Sequence, residues 1–240
     1  MRATKLIPDA ITAMNVVCGI IAVVFAFKGN FDAAFFLMLL AAVFDFFDGF
    51  AARALDAWSP MGKELDSLCD LVSFGVLPSI MLYRLMCVCR FGETRLCWIP
   101  LTITVCSALR LAKFNVDERQ HETFLGLPTP ACAILCASLC HFIAHNPECF
   151  LADWAAGNVF IPLLSIVLSI LLVCEIPMFS MKIKIGGGLN AIGWKRISFV
   201  LLVLAITTVA AFFRLSWSFV PLASFALYIV KNIVYLLFRV

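Results

Sequence analysis

Four aspartates lie in strongly apolar sequence between residues 45 and 70. The first pair is in the segment D-F-F-D-G-F-A-A-R, which contains Asp45 and Asp48. The second pair is in G-K-E-L-D-S-L-C-D, which contains Asp66 and Asp70 and follows after eight residues. A carboxylate at membrane depth is costly, so it marks a functional site by default. Any fold of this chain has to supply partners for these four charges.

The composition is that of an integral membrane protein. Hydrophobic residues make up 63% of the chain, charged residues only 14%, and the mean hydropathy is +1.04. A soluble domain has about half apolar and about a quarter charged residues. No polar stretch of domain size remains, so residues 1–240 are predicted to form a single membrane domain. The net charge of +3 comes without a dense basic run, so we expect no nucleic-acid partner.

The apolar pattern predicts an all-α bundle of about eight transmembrane helices, since each span needs about 20 apolar residues. Lys and Arg are concentrated in the loops on the same side of the membrane as the N-terminus. This asymmetry predicts that both termini lie in the cytoplasm. All four aspartates then lie near the cytoplasmic face of an inner membrane. The predicted spans are 10–28, 31–55, 61–86, 96–115, 128–145, 158–181, 196–213 and 217–238.

The spacing of the aspartates indicates a shared site. Asp45 and Asp48 are three residues apart on one helix, and Asp66 and Asp70 are four apart on the next, so each pair shares a helix face. Two antiparallel helices joined by a short turn can direct all four carboxylates into one volume. Without partners these charges would repel one another. Hard divalent cations such as Mg²⁺ or Mn²⁺ prefer carboxylate oxygens and often share them with substrate phosphates, so we expect two such ions.

Small and basic residues accompany the aspartates. Gly49, Ala52 and Gly62 leave room for a bulky substrate, and Arg53 offers a cation for a phosphate. Two other interpretations remain open from the residues alone. The aspartates could be interfacial carboxylates paired with Arg53 and Lys63, or they could belong to a cation transporter.

The motif resembles that of the CDP-alcohol phosphotransferases. Asp45-x-x-Asp48-Gly49-x-x-Ala52-Arg53, eight residues, and then Gly62-x-x-x-Asp66-x-x-x-Asp70 match that family's pattern at every defining position. Four further segments resemble its membrane-integral bacterial phosphatidylserine synthases. They are T-A-M-N-V-V-C-G at 12–19, L-D-S-L-C-D-L-V-S-F-G-V-L-P at 65–78, R-L-A-K-F-N at 110–115 and G-L-P-T-P at 126–130.

The resemblance implies a fold and a reaction. The fold would be the family's six-helix core with two additional spans. The reaction would join CDP-diacylglycerol and L-serine to give phosphatidylserine and CMP. Asp45, Asp48, Asp66 and Asp70 would bind the metals, and Asp70 would also be the base. Gly49, Ala52, Arg53, Gly62 and Asn15 would contact the CDP-lipid.

The sequence indicates the residues that would bind the acceptor less clearly than it indicates the metal ligands. Serine needs a cation for its carboxylate, and Arg110 suits this role because it can bind bidentately, with Lys113 as second choice. Both could instead be ordinary cations of the inner rim, and Asn15 could simply satisfy a backbone group. Ser73 and Thr129 are weaker candidates for the pocket. His121, His141 and His145 show no ligand set in the sequence.

Two further questions stay open in the sequence. Transfer to glycerol 3-phosphate or inositol phosphate is an alternative, although a phosphorylated acceptor would need more basic residues near the site. A homodimer is common in the family. The adjacent Phe35 and Phe36 could supply a contact, although phenylalanine that faces lipid is the default interpretation.

Overall fold

The chain folds as a bundle of ten α-helices within the residues that the structure describes. The structure, a computed structural model, describes residues 6–89, 95–116, 124–157, 159–178, 194–212 and 216–238. Its α-helices are α1 Leu6–Phe27, α2 Phe31–Ala54, α3 Pro60–Asp70, α4 Leu77–Cys89, α5 Thr102–Val116, α6 Thr129–His145, α7 Phe150–Ala156, α8 Phe160–Val173, α9 Trp194–Phe212 and α10 Phe219–Phe238. A π-helical segment, Leu71–Val76, joins α3 to α4, and a 3₁₀ helix, Arg95–Leu101, precedes α5.

The predicted all-α class is confirmed, and each predicted span coincides with at least one helix. The described helices include four that are long and apolar enough to cross a membrane. The bent pair α7 and α8 could add a fifth, whereas α6 and parts of α9 and α10 are shorter apolar helices. The four long candidates are Leu6–Phe27, Phe31–Ala54, Pro60–Cys89 and Arg95–Val116.

The sixth predicted span, 158–181, is wrong at its C-terminal end. The helix stops at Val173, and Pro177 begins a two-residue strand, β2 Pro177–Met178. Proline disfavours helical backbone at the preceding residue, which explains why the helix does not continue. Strand β2 pairs antiparallel with β1 Phe124–Leu125, so the chain before α6 is held against the chain after α8.

Capping at both ends of a short turn fixes the α2–α3 hairpin. Ser59 accepts a hydrogen bond from the backbone N–H of Gly62 at 2.9 Å, and Pro60 takes the first helical position. This is the predicted start of the third span, since proline at that position has no N–H to leave unsatisfied. The two predicted carboxylate pairs thereby lie on consecutive helices joined by a short turn, and both helices pack on α1.

The core lies where α1, α2, the π-helical segment, α4 and α6 meet. Phe35, Met38, Phe74, Leu77 and Met81 are fully buried there. The interpretation of Phe35 as facing lipid or a second subunit is therefore wrong. Phe36, its neighbour in sequence, is 56% exposed and still presents such a surface.

The cysteines contribute to packing and not to cross-linking. No disulfide links the eleven cysteines, all of which lie in the described ranges, and seven of them are buried. They act as small apolar residues in helix packing.

Candidate metal and phosphate site

The α2–α3 hairpin brings three of the four predicted aspartates together. One carboxylate oxygen from each of Asp45, Asp48 and Asp66 lies within 4.8 Å of the others. Asp48 is buried, and Asp45 and Asp66 are partly buried. The i, i+3 spacing on α2 places Asp45 and Asp48 on one face, and packing of both α2 and α3 on α1 brings Asp66 to them.

Asp70 lies one turn beyond Asp66 and has a different environment. The side-chain amide of Asn15 donates a hydrogen bond to Asp70 Oδ1 at 3.3 Å. The carboxylate of Asp45 faces both Asp66 and Asp70, so it connects Asp70 to the other two aspartates. The structure therefore places Asp70 beside the three-carboxylate cluster and orients it from α1.

The cluster fits a hard divalent cation. Asp48 Oδ2 and Asp66 Oδ1 are buried and have no hydrogen-bond partner among the described residues. Buried carboxylate oxygens without partners are costly, and a bound cation removes that cost. Three closely spaced carboxylates are the donor set that Mg²⁺ and Mn²⁺ prefer.

A pocket of about 90 Å³ opens beside the cluster. Its wall includes the predicted small residues Gly49, Ala52 and Gly62, together with Asp48 and Asp66. It also contains Ser59 and Lys63, together with five residues for which the sequence offered no role, namely Pro8, Asp9, Thr12, Ala57 and Trp58.

The two glycines of the pocket differ in what surrounds them. A Cβ atom added to Gly49 would meet no protein atom within 4 Å, so the space above this residue is open. A Cβ added to Gly62 would lie 2.9 Å from Ser59 Oγ and 3.1 Å from Asp9 Oδ1. Gly49 thus leaves space that the protein itself does not fill, whereas Gly62 also serves the close packing of α3 on α1.

The two basic residues near the hairpin do not neutralise the aspartates. Arg53 is exposed and forms no ion pair with any described carboxylate. Lys63 donates to the backbone carbonyl of Asn115 at 3.0 Å. The alternative of interfacial carboxylates paired with Arg53 and Lys63 therefore has no support in the described contacts.

Arg110 reaches the Asp70 side of the site from α5. It is 8% exposed, and its Nη1 donates to Thr129 Oγ1 at 3.1 Å. Asp70 is its strongest electrostatic partner, yet the two form no direct ion pair. Arg110 Nε has no hydrogen-bond partner in the described part of the chain. A buried guanidinium with an unused donor is thus available to an anionic group beside Asp70.

Lys113, the second basic candidate, has a different environment from that of Arg110. It forms an ion pair with Glu175, and both side chains are largely exposed. The structure therefore separates the two acceptor candidates, with only Arg110 buried next to Asp70.

Two residues near the site had no assigned role in the sequence. Thr12 lies beside the Asp48 carboxylate, and its position one turn before Asn15 on α1 could have indicated this. Tyr228 of α10 is buried and lies near Arg110. No local sequence pattern indicates Tyr228, because the two residues are more than a hundred positions apart in the chain.

The expectation that the histidines form no ligand set is wrong for two of them. His141 and His145 approach Asp32 at the opposite end of α2. Their i, i+4 spacing on α6 was the available signal. His121 lies outside the described residues.

Comparison with known proteins agrees with this geometry. The family model for CDP-alcohol phosphatidyltransferases matches residues 5–176, which contain every site residue named in the sequence analysis. The chain belongs to the CDP-alcohol phosphatidyltransferase family. Helices α9 and α10 lie beyond the matched region of this family, so Tyr228 comes from outside it.

Several curated relatives carry one name. The CDP-diacylglycerol--serine O-phosphatidyltransferase of Bacillus subtilis is 40% identical over 141 residues, which cover 59% of this chain and 77% of that protein. The protein of the same name from Mycobacterium tuberculosis is 37% identical over 185 residues, which cover 74% of this chain and 62% of its own length. The archaetidylserine synthase of Methanothermobacter thermautotrophicus is 37% identical over 135 residues, covering 55% of this chain and 56% of that protein.

Proposed function

We propose that this chain transfers the phosphatidyl group of CDP-diacylglycerol to the hydroxyl of L-serine, giving phosphatidylserine and CMP. The observation that carries the proposal is the cluster of Asp45, Asp48 and Asp66 with its unpartnered oxygens, next to an open pocket. The names of the relatives support the choice of CDP-diacylglycerol as the donor and of serine as the acceptor in this proposal. The proposal treats residues 1–240 as one catalytic membrane domain.

Two divalent cations, Mg²⁺ or Mn²⁺, would be held by Asp45, Asp48 and Asp66. Asp70, which lies next to Asp45, would be a fourth metal ligand. The chemistry that such ions supply is neutralisation of the CDP diphosphate and of the departing CMP. Gly49, Ala52 and Gly62 border the space beside them, where a nucleotide diphosphate can approach the helix backbone. Arg53, exposed at the end of α2, offers a cation at the rim for a phosphate.

Asp70 is the base in this proposal. The serine hydroxyl oxygen attacks the phosphorus of the phosphatidyl group, the bond from that phosphorus to the CMP oxygen breaks, and the hydroxyl proton passes to Asp70. Asn15 supports this role because its amide holds one Asp70 oxygen and leaves the other to accept the proton. The remaining work is orientation of the two substrates.

Arg110 binds the serine carboxylate in this proposal. It is buried beside Asp70 and has an unused donor, so a bound carboxylate would bring the hydroxyl of the same small molecule near the base. Lys113, which is paired with Glu175 at a more exposed position, is at most a peripheral cation for the acceptor.

We place the site at the cytoplasmic face of a bacterial inner membrane, with both termini on that side. The loop charges of the sequence support this orientation, and serine is a cytosolic substrate. The chain ends, 1–5 and 239–240, lie outside the described residues. A homodimer through a lipid-exposed face that includes Phe36 remains part of the proposal.

The experiment is an acceptor comparison with the purified protein in detergent micelles that contain CDP-diacylglycerol. CMP release is measured with L-serine, glycerol 3-phosphate or inositol phosphate, with Mn²⁺, with Mg²⁺ and after chelation of divalent ions. The proposal predicts release that requires both serine and a divalent ion. CMP release with a phosphorylated alcohol but not with serine would rule out serine as the acceptor. No release with any alcohol would reject the transferase and favour a transport role for the carboxylates.

A further inference from the structure

A second cluster of ligand-type side chains lies at the end of α2 remote from the carboxylates. Asp32, in the first turn of α2, faces His141 and His145, in the last two turns of α6. Asp32 and Asp48 are 16 residues apart on one helix, which corresponds to about 24 Å along its axis. The cluster is therefore separate from the site of the proposed reaction.

The three side chains already have the spacing of metal ligands. His141 Nε2 lies 3.5 Å and His145 Nδ1 lies 3.6 Å from Asp32 Oδ1. A tetrahedral ion with bonds of about 2.0–2.1 Å to nitrogen and oxygen keeps its ligands about 3.3 Å apart. Both N–O distances are within about 0.3 Å of that value, and rotation of the exposed His145 ring out of its stack with His141 would direct both nitrogens at one ion.

His141 is held in place more firmly than a surface histidine. Its side chain is 2% exposed, and its ring packs against Phe35, 5.3 Å away, and Trp217, 5.0 Å away between centroids. Its Nδ1 has no hydrogen-bond partner in the described part of the chain, and its Nε2 is directed at Asp32. Packing of the ring against these aromatic side chains keeps Nε2, the nitrogen offered to an ion, directed at Asp32.

His145 completes the cluster from the next turn of α6. Its ring stacks on that of His141, with centroids 4.3 Å apart, and its Nδ1 lies 3.0 Å from the His141 carbonyl oxygen. The same nitrogen faces Asp32, so it serves as a ligand in the tautomer that carries its hydrogen on Nε2, and a bound ion then replaces its contact with the carbonyl oxygen. Both His145 and Asp32 are partly open to solvent, which gives an ion access and leaves room for a water ligand.

We propose that Asp32, His141 and His145 form a binding site for a divalent transition metal of the Zn²⁺ type, which ties α2 to α6. Two imidazoles and one carboxylate, with an open fourth position for water, suit zinc. Mg²⁺ prefers oxygen ligands in octahedral geometry, so it does not compete well at this site. The two clusters of the chain would thus select different metals. This site does not depend on the proposed transfer reaction.

The test compares Zn²⁺ and Co²⁺ binding to the full-length protein in detergent, in the presence of excess Mg²⁺. The variants are Asp32→Asn and His145→Gln, which change exposed side chains, and the matched control is His121→Gln, which changes the remaining histidine of the chain. The cysteines and the carboxylate cluster are common to all four proteins, so their binding cancels in the comparison.

The proposal predicts one more bound Zn²⁺ in the unmodified protein and in His121→Gln than in the other two variants, or at least about a tenfold weaker affinity in those variants. The Co²⁺-loaded protein should show the visible absorption of a tetrahedral ion, which both cluster variants lose. Zn²⁺ should also raise the Tm of the unmodified protein and leave that of the cluster variants unchanged.

Equal Zn²⁺ stoichiometry and affinity in all four proteins would overturn the proposal, as would a Tm increase that persists in Asp32→Asn and His145→Gln. Loss of binding in His121→Gln alone would assign the metal to another part of the chain. Serine transfer by the cluster variants should stay within about twofold of the unmodified protein, because the site is about 24 Å from the carboxylates. This arm separates failure of the metal site from failure of the proposed function.

Discussion

At the scale of single residues, the four aspartates fall into two structural groups. Asp45, Asp48 and Asp66 share one small volume, whereas Asp70 is held by Asn15 at its edge. This division follows from α1, whose Asn15 holds Asp70 by a hydrogen bond, whereas its Thr12 lies beside Asp48 within the cluster. The motif spacing alone treats all four alike, so the structure adds the distinction.

Asp70→Asn should lower kcat by at least about a hundredfold, because the amide cannot accept the serine proton. The KM for CDP-diacylglycerol should change by less than about threefold, since the three remaining carboxylates still form the metal cluster. Steady-state assays with varied lipid measure both constants. Near-normal kcat would remove Asp70 as the base, and a large rise in lipid KM with unchanged kcat would make it a binding residue instead.

Arg110→Ala should raise the KM for serine about tenfold or more, because a hydrogen bond between charged groups contributes about 1.5–3 kcal/mol. The lipid KM should change little. Lys113→Ala is the matched control and should leave the serine KM nearly unchanged, because Lys113 is already paired with Glu175 at a largely exposed position. Equal effects of Arg110→Ala on both substrates would indicate a structural role.

Gly49→Ala should weaken binding of the lipid substrate without lowering the stability of the protein. The added methyl meets no protein atom within 4 Å, and alanine is favoured over glycine in a helix by about 1 kcal/mol, so Tm should stay equal or rise. If the open space belongs to the CDP-lipid, its KM should rise about tenfold, which corresponds to about 1.4 kcal/mol. A variant with unchanged Tm and unchanged KM would show that the substrate lies elsewhere.

At the scale of elements, the π-helical segment Leu71–Val76 sets the position of Asp70 relative to α1. It begins directly after Asp70, and its Ser73 donates a hydrogen bond to the Asn15 carbonyl at 3.2 Å. Gly19 of α1 permits the close approach, because a Cβ at this residue would lie 2.3 Å from Ser73 Oγ. Wide turns of this kind are often found at functional sites.

Gly19→Ala should therefore reduce both stability and turnover. Overpacking of this type costs about 1–3 kcal/mol, so thermal unfolding in detergent should occur at lower temperature than in the unmodified protein. Because the clash is with the serine hydroxyl, a second change, Ser73→Ala, should restore part of the loss. Gly49→Ala serves as the control for glycine replacement in a helix. An unchanged Tm in Gly19→Ala would show that α1 does not need this contact.

At the scale of the whole molecule, local sequence predicted most of the site but not its connections. The helix class, the α2–α3 hairpin with its Ser59 cap, and the approach of Asp45, Asp48 and Asp66 all follow from spacing within 26 residues. The placement of Tyr228 near Arg110 and the meeting of Asp32 with His141 depend on distant helices packing together. The π-helical turn depends on the same packing, since no local pattern distinguishes it from α-helix.

The described helices form one bundle. The carboxylate cluster lies at one end of α2, and the cluster of Asp32, His141 and His145 lies at the other. Helices α1, α2, α3 and α5 supply the carboxylates, the pocket and Arg110, while α10 adds Tyr228 from beyond the region that the family model matches. The central claim is that the carboxylate cluster drives transfer of a phosphatidyl group to serine.

The most direct test is incorporation of labelled L-serine into lipid by the purified protein and by Asp48→Asn, with CDP-diacylglycerol and Mn²⁺. Asp48 is the most buried of the three clustered carboxylates, at 6% exposure, and has an unpartnered oxygen. The account predicts labelled phosphatidylserine and an equal amount of CMP from the unmodified protein, and a loss of both by at least about a hundredfold in Asp48→Asn. Labelled lipid formed at an undiminished rate by Asp48→Asn, or none formed by the unmodified protein, would contradict it.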